Sequence, residues 1–211
     1  CLTPESPDMG FYDDHILPYF INCAMSTKAI RDERRRCLEP VGGVVLEIGF
    51  GSGLNLPFYP SAVTKVIGVD PSHTAARLAR KRITAATFPV ELIGLSAETL
   101  PIADRSVDTI VSTFTLCTIP DPASALREMR RVLKPGGQLH FVEHGRADDP
   151  GVARWQQRLN GLQQTLFGGC NLNRPISSLV ERGRFEIERL EHDYLKGAPK
   201  FAGFLYRGVA R

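Results

Sequence analysis

Three glycines at alternate positions, Gly49, Gly51 and Gly53, directly follow the apolar run Val44-Val45-Leu46-Glu47-Ile48. Glycines in such a place let the chain turn sharply and let a ligand reach the backbone with no Cβ in the way. A helix that opens just after the loop also aims free N–H groups into the crevice. The spacing is G-x-G-x-G, not the dinucleotide fingerprint G-x-G-x-x-G, and an acid, Glu47, precedes it. A second acid, Asp70, lies seventeen residues beyond Gly53, at the end of the next apolar run. A carboxylate there can accept both hydroxyls of a ribose, and its structural alternative is to cap the helix that follows. The chemistry this favours is binding of a nucleoside-bearing ligand.

A second set of side chains bears on catalysis. His144 falls at the C-terminal end of a later strand, where open α/β sheets bind ligands, and can assist deprotonation near neutral pH. It equally suits a histidine satisfied by a backbone partner or by Glu143. Cys170 can line a pocket or be a small buried hydrophobe. Arg174 can bind an anionic group or pair with an acid. The five cysteines (Cys1, Cys23, Cys37, Cys117 and Cys170) contain no CxxC pair and no histidine at ligand spacing. They read as reduced thiols, and no metal site is expected.

These residues need a frame to hold them. Val44–Ile48, Lys65–Asp70, Val90–Leu95, Ser106–Thr113 and Gln138–Glu143 read as short strands, separated by helices such as Ser72–Ala86. The helix after the fourth strand has Asp121 as N-cap, Pro122 at its first position and Lys134-Pro135-Gly136-Gly137 at its end. Alternation of this kind implies a parallel sheet with right-handed crossovers and helices on both faces. Residues 11–39 read as mainly helical, ending in Arg31–Glu39. Trp155–Phe167 reads as an extra helix whose Trp155, Leu159, Leu162, Leu166 and Phe167 have core spacing. Glu186–Tyr194 and Phe201–Val209 read as a C-terminal hairpin with at least one antiparallel strand. The expected organisation is a single domain over 1–211: an N-terminal helical segment (1–40), a ligand-binding core (41–145) and a substrate-side helix with the hairpin (146–211).

The bulk properties restrict the partners. A net charge of +3 in 211 residues is too small to imply nucleic acid, and the arginines at 34–36 and 77–82 read as solvated helix faces. No apolar stretch approaches the roughly 18 residues of a membrane helix. A cytoplasmic protein is expected, with peripheral membrane association open. The chain opens on Cys1 rather than methionine, which leaves room for a preceding segment.

Residues 47–53 resemble the first motif of class I methyltransferases, and Asp70 the acid after their second strand. Ser96-Ala97-Glu98, Phe88 to Pro101, Ser106-Val107-Asp108 and Val132-Leu133-Lys134-Pro135-Gly136-Gly137 are similar to the family's later landmarks, in order. The whole is most similar to the UbiE-like, type 11 methyltransferases. A narrower resemblance, to methyltransferase-like proteins acting on alkyl thiols, rests on Asn55, Phe58-Tyr59-Pro60, Leu116-Cys117, Glu143-His144, Trp155-Gln156-Gln157 and the run Gly169-Cys170-Asn171-Leu172-Asn173-Arg174.

The resemblance implies a Rossmann-like fold and S-adenosylmethionine as cofactor, released as S-adenosylhomocysteine. Glu47, Gly49, Gly51, Gly53, Asn55, Asp70, Pro71, Ala97, Glu98 and Thr113 are the implied cofactor residues. Gly49, Gly51 and Gly53 would pass under the methionine and ribose, Pro71 would face the adenine, and Ala97 would offer its N–H to an adenine nitrogen beside Glu98. Thr113 and Phe114 would flank the methyl group, with Asn55 and Tyr12 at the carboxylate end. Tyr12, Cys117, His144, Cys170 and Arg174 would line the acceptor side, with His144 the one candidate base. Phe50 departs from the small residue of many relatives, so its ring must point away from the cofactor. The implied reaction is methyl transfer to a small, apolar or thiol-bearing acceptor; a quinone, phenol or lipid acceptor, or a non-catalytic binding module, are the alternatives. An NAD-dependent oxidoreductase would want the other glycine spacing and a catalytic tyrosine or serine set that residues 113–120 lack.

Overall fold

The computed structural model describes residues 16–211. Its helices are α1 (Leu17–Ala24), α2 (Lys28–Leu38), α3 (His73–Thr84), α4 (Pro122–Val132), α5 (Pro150–Leu166), α6 (Ile176–Arg182) and α7 (Lys200–Gly203). Its strands are β1 (Gly43–Ile48), β2 (Val63–Val69), β3 (Val90–Ile93), β4 (Val107–Thr113), β5 (Leu133–His144), β6 (Ile187–Tyr194) and β7 (Phe204–Ala210). They form one sheet in the order β3-β2-β1-β4-β5-β7-β6. Strands β1 to β5 pair in parallel, while β7 inserts antiparallel between β5 and β6. The order reverses beside β1, so the crevice at the strand C-termini opens over the glycine loop.

Strand alternation divides the core between two faces. Leu46, Ile48, Ile67, Ile110, Leu139 and Phe141 pack with Leu126 and Met129 of α4 and Ile176 and Val180 of α6. Their neighbours Val45, Val66 and Val111 join Leu38 of α2, Ala79 of α3 and Phe50 on the other face. Asp108 ties the lower end together. Its carboxylate accepts from Val44 N at 2.8 Å and from Lys134 Nζ at 2.7 Å, so the Ser-Val-Asp and Lys-Pro-Gly-Gly segments clasp one another.

Two helices start by the same device. Asp121 caps α4 by accepting from Ala123 N and Ser124 N, and Asp149 caps α5 by accepting from Gly151 N and Val152 N, each with proline next. Helix α5 therefore begins at Pro150, five residues before the expected Trp155. Apolar spacing marks where a helix buries its face, and this helix buries little. Trp155 (57% exposed), Leu162 (59%) and Leu166 (44%) face outward, against the expected core role. Helix α6 was not expected, and α7 occupies the first residues of the expected last strand. The expected helix over 31–39 begins earlier, at Lys28, and is separated from α1 by Met25–Thr27. Tyr12 lies outside the described residues. Among the described residues no helix is long and apolar enough to cross a membrane.

Candidate functional site

The glycine loop is left-handed at all three positions, with φ of +69° at Gly49, +55° at Gly51 and +73° at Gly53, where other residues are strained. A Cβ on Gly49 would stand 2.1 Å from Thr115 Oγ1, so the segment leaving β4 closes directly on the loop. Gly51 is different: a Cβ there would meet nothing nearer than 3.9 Å, leaving open space above the backbone.

Asp70 follows β2 and faces this loop. Its Oδ2 accepts from Gly51 N and its Oδ1 from Ser72 N, both at 2.8 Å. Each carboxylate oxygen thus keeps an acceptor position. Ser72, not Asp70, caps α3, its hydroxyl accepting from Ala75 N at 3.2 Å. Burial raises the Asp70 carboxyl above its ordinary range, opposed by the two N–H donors. The adjoining crevice is lined by Phe50, Gly51, Asp70, Ser72, Leu92 and Gly94. Phe50 is buried with its ring over Gly68, where a Cβ would come within 2.5 Å of it. The ring fills space that Gly68 leaves empty.

Beneath the loop lies a buried polar cluster. Arg34 of α2 donates through Nη1 to Asn55 Oδ1 and Thr113 Oγ1, both at 2.7 Å. Asn55 Nδ2 donates to Glu47 Oε1 at 2.8 Å and Thr113 Oγ1 at 3.0 Å, while Tyr59 OH donates to Glu47 Oε2 at 2.7 Å. Burial pushes the Glu47 carboxyl up to about 7 despite these donors and the Arg34 charge. Through these bonds Glu47 and Asn55 support the loop from below. Arg34 is only 6% exposed, which corrects the solvated-face reading for that residue; Arg35 and Arg36 do face solvent. Helical spacing carried the signal, since Arg34 shares a face with Ile30, Cys37 and Leu38. Arg82 is likewise engaged, donating to Ser52 O at 2.8 Å. Tyr59 belongs to the Phe-Tyr-Pro run of the narrower resemblance, and its link to Glu47 spans a turn that spacing does not reveal.

The exits of β4 and β5 complete the crevice. Phe114 adopts φ +57°, a strained conformation for a bulky residue, with the Arg34 guanidinium 5.5 Å from its ring centroid. Glu143 and His144 point to opposite sides of the sheet, so Glu143 does not satisfy the histidine. Glu143 Oε1 accepts from Ser112 Oγ at 2.8 Å and Thr115 N at 2.9 Å, and its other oxygen is buried with no hydrogen-bond partner among the described residues. His144 Nε2 lies 3.4 Å from Cys170 Sγ, which is itself 3.4 Å from Cys117 Sγ. The hydrogen bond to Cys117, then burial, hold the Cys170 thiol far above its ordinary range. Among the described residues Arg174 pairs with no acid, its Nη1 donating to the carbonyls of Leu116 at 2.6 Å and Ile119 at 2.7 Å. Of the adenine-side candidates, Ala97 is buried and Pro71 exposed. Glu98 braces its loop, accepting from Ser96 Oγ and, at 2.8 Å, from Asp121 N.

This sheet, its glycine loop and the acid after β2 define a Rossmann-like methyltransferase fold. A family model described as a methyltransferase domain matches residues 46–141. The chain is 35% identical to human thiol S-methyltransferase TMT1A over 152 residues, covering 70% of this chain and 62% of that protein. It is 35% identical over 165 residues to phosphatidylethanolamine N-methyltransferase of Cereibacter sphaeroides, covering 76% of this chain and 80% of that one. The solved structure of a SAM-dependent methyltransferase from Thermotoga maritima superposes with a TM-score of 0.65 at 24% identity, over 92% of this chain and 98% of that one. The chain belongs to the class I S-adenosylmethionine-dependent methyltransferases. It spans about 62% of the length of human thiol S-methyltransferase TMT1A and of rat TMT1B. The crevice fits the family's cofactor: Gly51 leaves room over the backbone, and Asp70 keeps acceptors for a diol.

Proposed function

We propose that the chain transfers a methyl group from S-adenosylmethionine to a small, soft acceptor, first among them a thiol. The carrying observation is Asp70, held by two backbone N–H groups with one acceptor position left on each oxygen, beside a left-handed loop open above Gly51. Asp70 takes the ribose hydroxyls, Gly49 to Gly53 run beneath the cofactor, Pro71 and Ala97 bound the adenine, and Thr113 and Phe114 flank the methyl. Glu47, Asn55 and Arg34 hold the loop from below. The bound cofactor supplies an electrophilic methyl and its own leaving group, so the protein chiefly orients the acceptor and excludes water.

The acceptor side supports a thiol in two ways. Glu143 Oε1 is engaged by Ser112 and Thr115, and the acceptor side presents His144 beside the two sulfurs of Cys117 and Cys170, soft surroundings that suit a thiol better than a phenol or carbon acid. A thiolate is reachable with less help. The relationship to thiol S-methyltransferase TMT1A points the same way. A second reading, an amine acceptor on a lipid, is favoured by the Cereibacter sphaeroides relative and by exposed Tyr19 and Phe20 of α1, with the rings of Phe20 and Phe167 5.7 Å apart in a tilted arrangement. The test is transfer of labelled methyl to an alkyl thiol, a demethylated quinol, a small phenol and phosphatidylethanolamine in vesicles. Labelling of the thiol supports the first reading, and labelling of the lipid alone selects the second. Cofactor binding with no acceptor labelled reduces the chain to a binding module.

A further inference from the structure

Cys117, His144 and Cys170 come from three separate places: the loop after β4, the last residue of β5 and the turn after α5. One ligand-type atom from each lies within 4.8 Å of the other two. The two sulfurs are 3.4 Å apart, and Nε2 of His144 is 3.4 Å from the Cys170 sulfur. Around a tetrahedral zinc ion with Zn–S of about 2.3 Å and Zn–N of about 2.0 Å, two sulfurs stand about 3.8 Å apart and a sulfur and nitrogen about 3.5 Å. The two edges that meet at Cys170 are close to those lengths, and the third, between Cys117 and His144, is within 4.8 Å.

Most of the surrounding hydrogen bonds fix the backbone of these ligands, and Cys117 Sγ also lies 3.5 Å from Thr118 Oγ1. Asn171 donates through its N (2.9 Å) and Nδ2 (3.0 Å) to Cys117 O, binding the two cysteine-bearing segments together. Arg174 grips the carbonyls on either side of Cys117, at Leu116 and Ile119. Leu172 N donates to Asn160 Oδ1 at 2.9 Å, anchoring the same turn to α5. Cys117 and His144 are buried, and Cys170 is partly exposed, so the cluster is reachable on one side. It also adjoins the cofactor crevice, because Thr115, two residues before Cys117, abuts Gly49.

We infer that Cys117, His144 and Cys170 form a zinc site with three protein ligands and an open fourth position that takes the acceptor thiol. Soft thiolates with one imidazole suit Zn²⁺, and a three-ligand set is the pattern of sites that bind substrate. The expectation of no metal rested on spacing along the chain, which does not register ligands gathered from three loops. The catalytic role rests on the thiol reading above. A thiol entering the fourth position loses its proton to solvent and binds as thiolate. Its lone pair then forms the new C–S bond to the methyl carbon. The sulfonium C–S bond breaks, its electron pair remains on the departing sulfur, and two neutral thioether sulfurs result.

The test begins with elemental analysis of the full chain purified under reductant, followed by loading with Co²⁺ as a spectroscopic probe. One metal per chain and a thiolate-to-cobalt charge-transfer band are expected. Cys170→Ser, at the partly exposed position, should lose both while keeping the circular dichroism of the parent, and Asn171→Ala should weaken metal affinity about 10-fold. Adding an alkyl thiol should shift the cobalt d–d bands. A chain that takes up no zinc or cobalt but methylates thiols overturns the site and leaves the thiol reading standing. Stoichiometric metal with unchanged d–d bands and no thiol methylation keeps the site and overturns its proposed role along with the thiol reading. A Cys117–Cys170 disulfide that persists under reductant overturns the site outright.

Discussion

The two ends of the crevice are built on different principles. At the cofactor end, chemistry-bearing residues follow one another along the chain: the loop at 49–53 leaves β1, and Asp70 leaves β2, its neighbour in the sheet. At the proposed acceptor end, Cys117, His144 and Cys170 meet only because β4, β5 and α5 finish at the same edge. The cofactor is the same for the whole family, so its end can be a local motif. The acceptor end varies by changing loops on a fixed sheet, and no local spacing encodes it.

Removing Arg34 should separate the ends most sharply. Arg34→Ala removes two buried hydrogen bonds from a charged donor and leaves Asn55 and Thr113 each short of a partner, at a cost of about 3–5 kcal/mol in urea unfolding. A loss below about 1 kcal/mol would return Arg34 to the solvated face. Asp70→Ala comes next, with cofactor affinity falling about 100-fold by calorimetry while the chain still unfolds cooperatively, since two charged hydrogen bonds are lost at roughly 1.5–3 kcal/mol each and water offsets part. Unchanged affinity would move the ribose elsewhere.

A pH experiment probes the same end more finely. The folded state holds the Glu47 proton up to about pH 7, whereas the unfolded chain releases it near the ordinary carboxyl value of 4.5. Glu47 thus contributes stability that is fully present below about 4.5 and lost as pH rises through 7, on the order of 3 kcal/mol. Glu47→Gln should flatten that part of the stability–pH curve, and a curve identical to the parent's would contradict the assignment. The cationic cofactor favours the carboxylate, so its binding should also release protons near neutral pH. The smallest effect belongs to the acceptor side: Leu162→Ala, on the exposed face of α5, should change stability within about 0.5 kcal/mol. A cost of 2–5 kcal/mol would restore the core reading of that helix.

What the sequence discloses follows the same division. The strand–helix alternation, the loop glycines and Asp70 are legible because periodicity and special φ angles are properties of adjacent residues. Arg34 was legible in principle, from its helical spacing to Ile30 and Leu38, but the charge run around it suggested solvent. The start of α5 was signalled by Asp149-Pro150, the pair that starts α4, while α6 carried no such cap. The partnership of His144 with Cys170 was not legible. Alternation excludes Glu143 as its partner, and the sheet edge alone supplies another.

The most direct measurement is calorimetric titration of the purified chain with S-adenosylmethionine and, separately, with NADH. One-to-one binding of S-adenosylmethionine in the micromolar range, with none of NADH, is the expected result. Binding of NADH, or failure to bind S-adenosylmethionine, would contradict the assignment of the glycine loop and Asp70 to that cofactor.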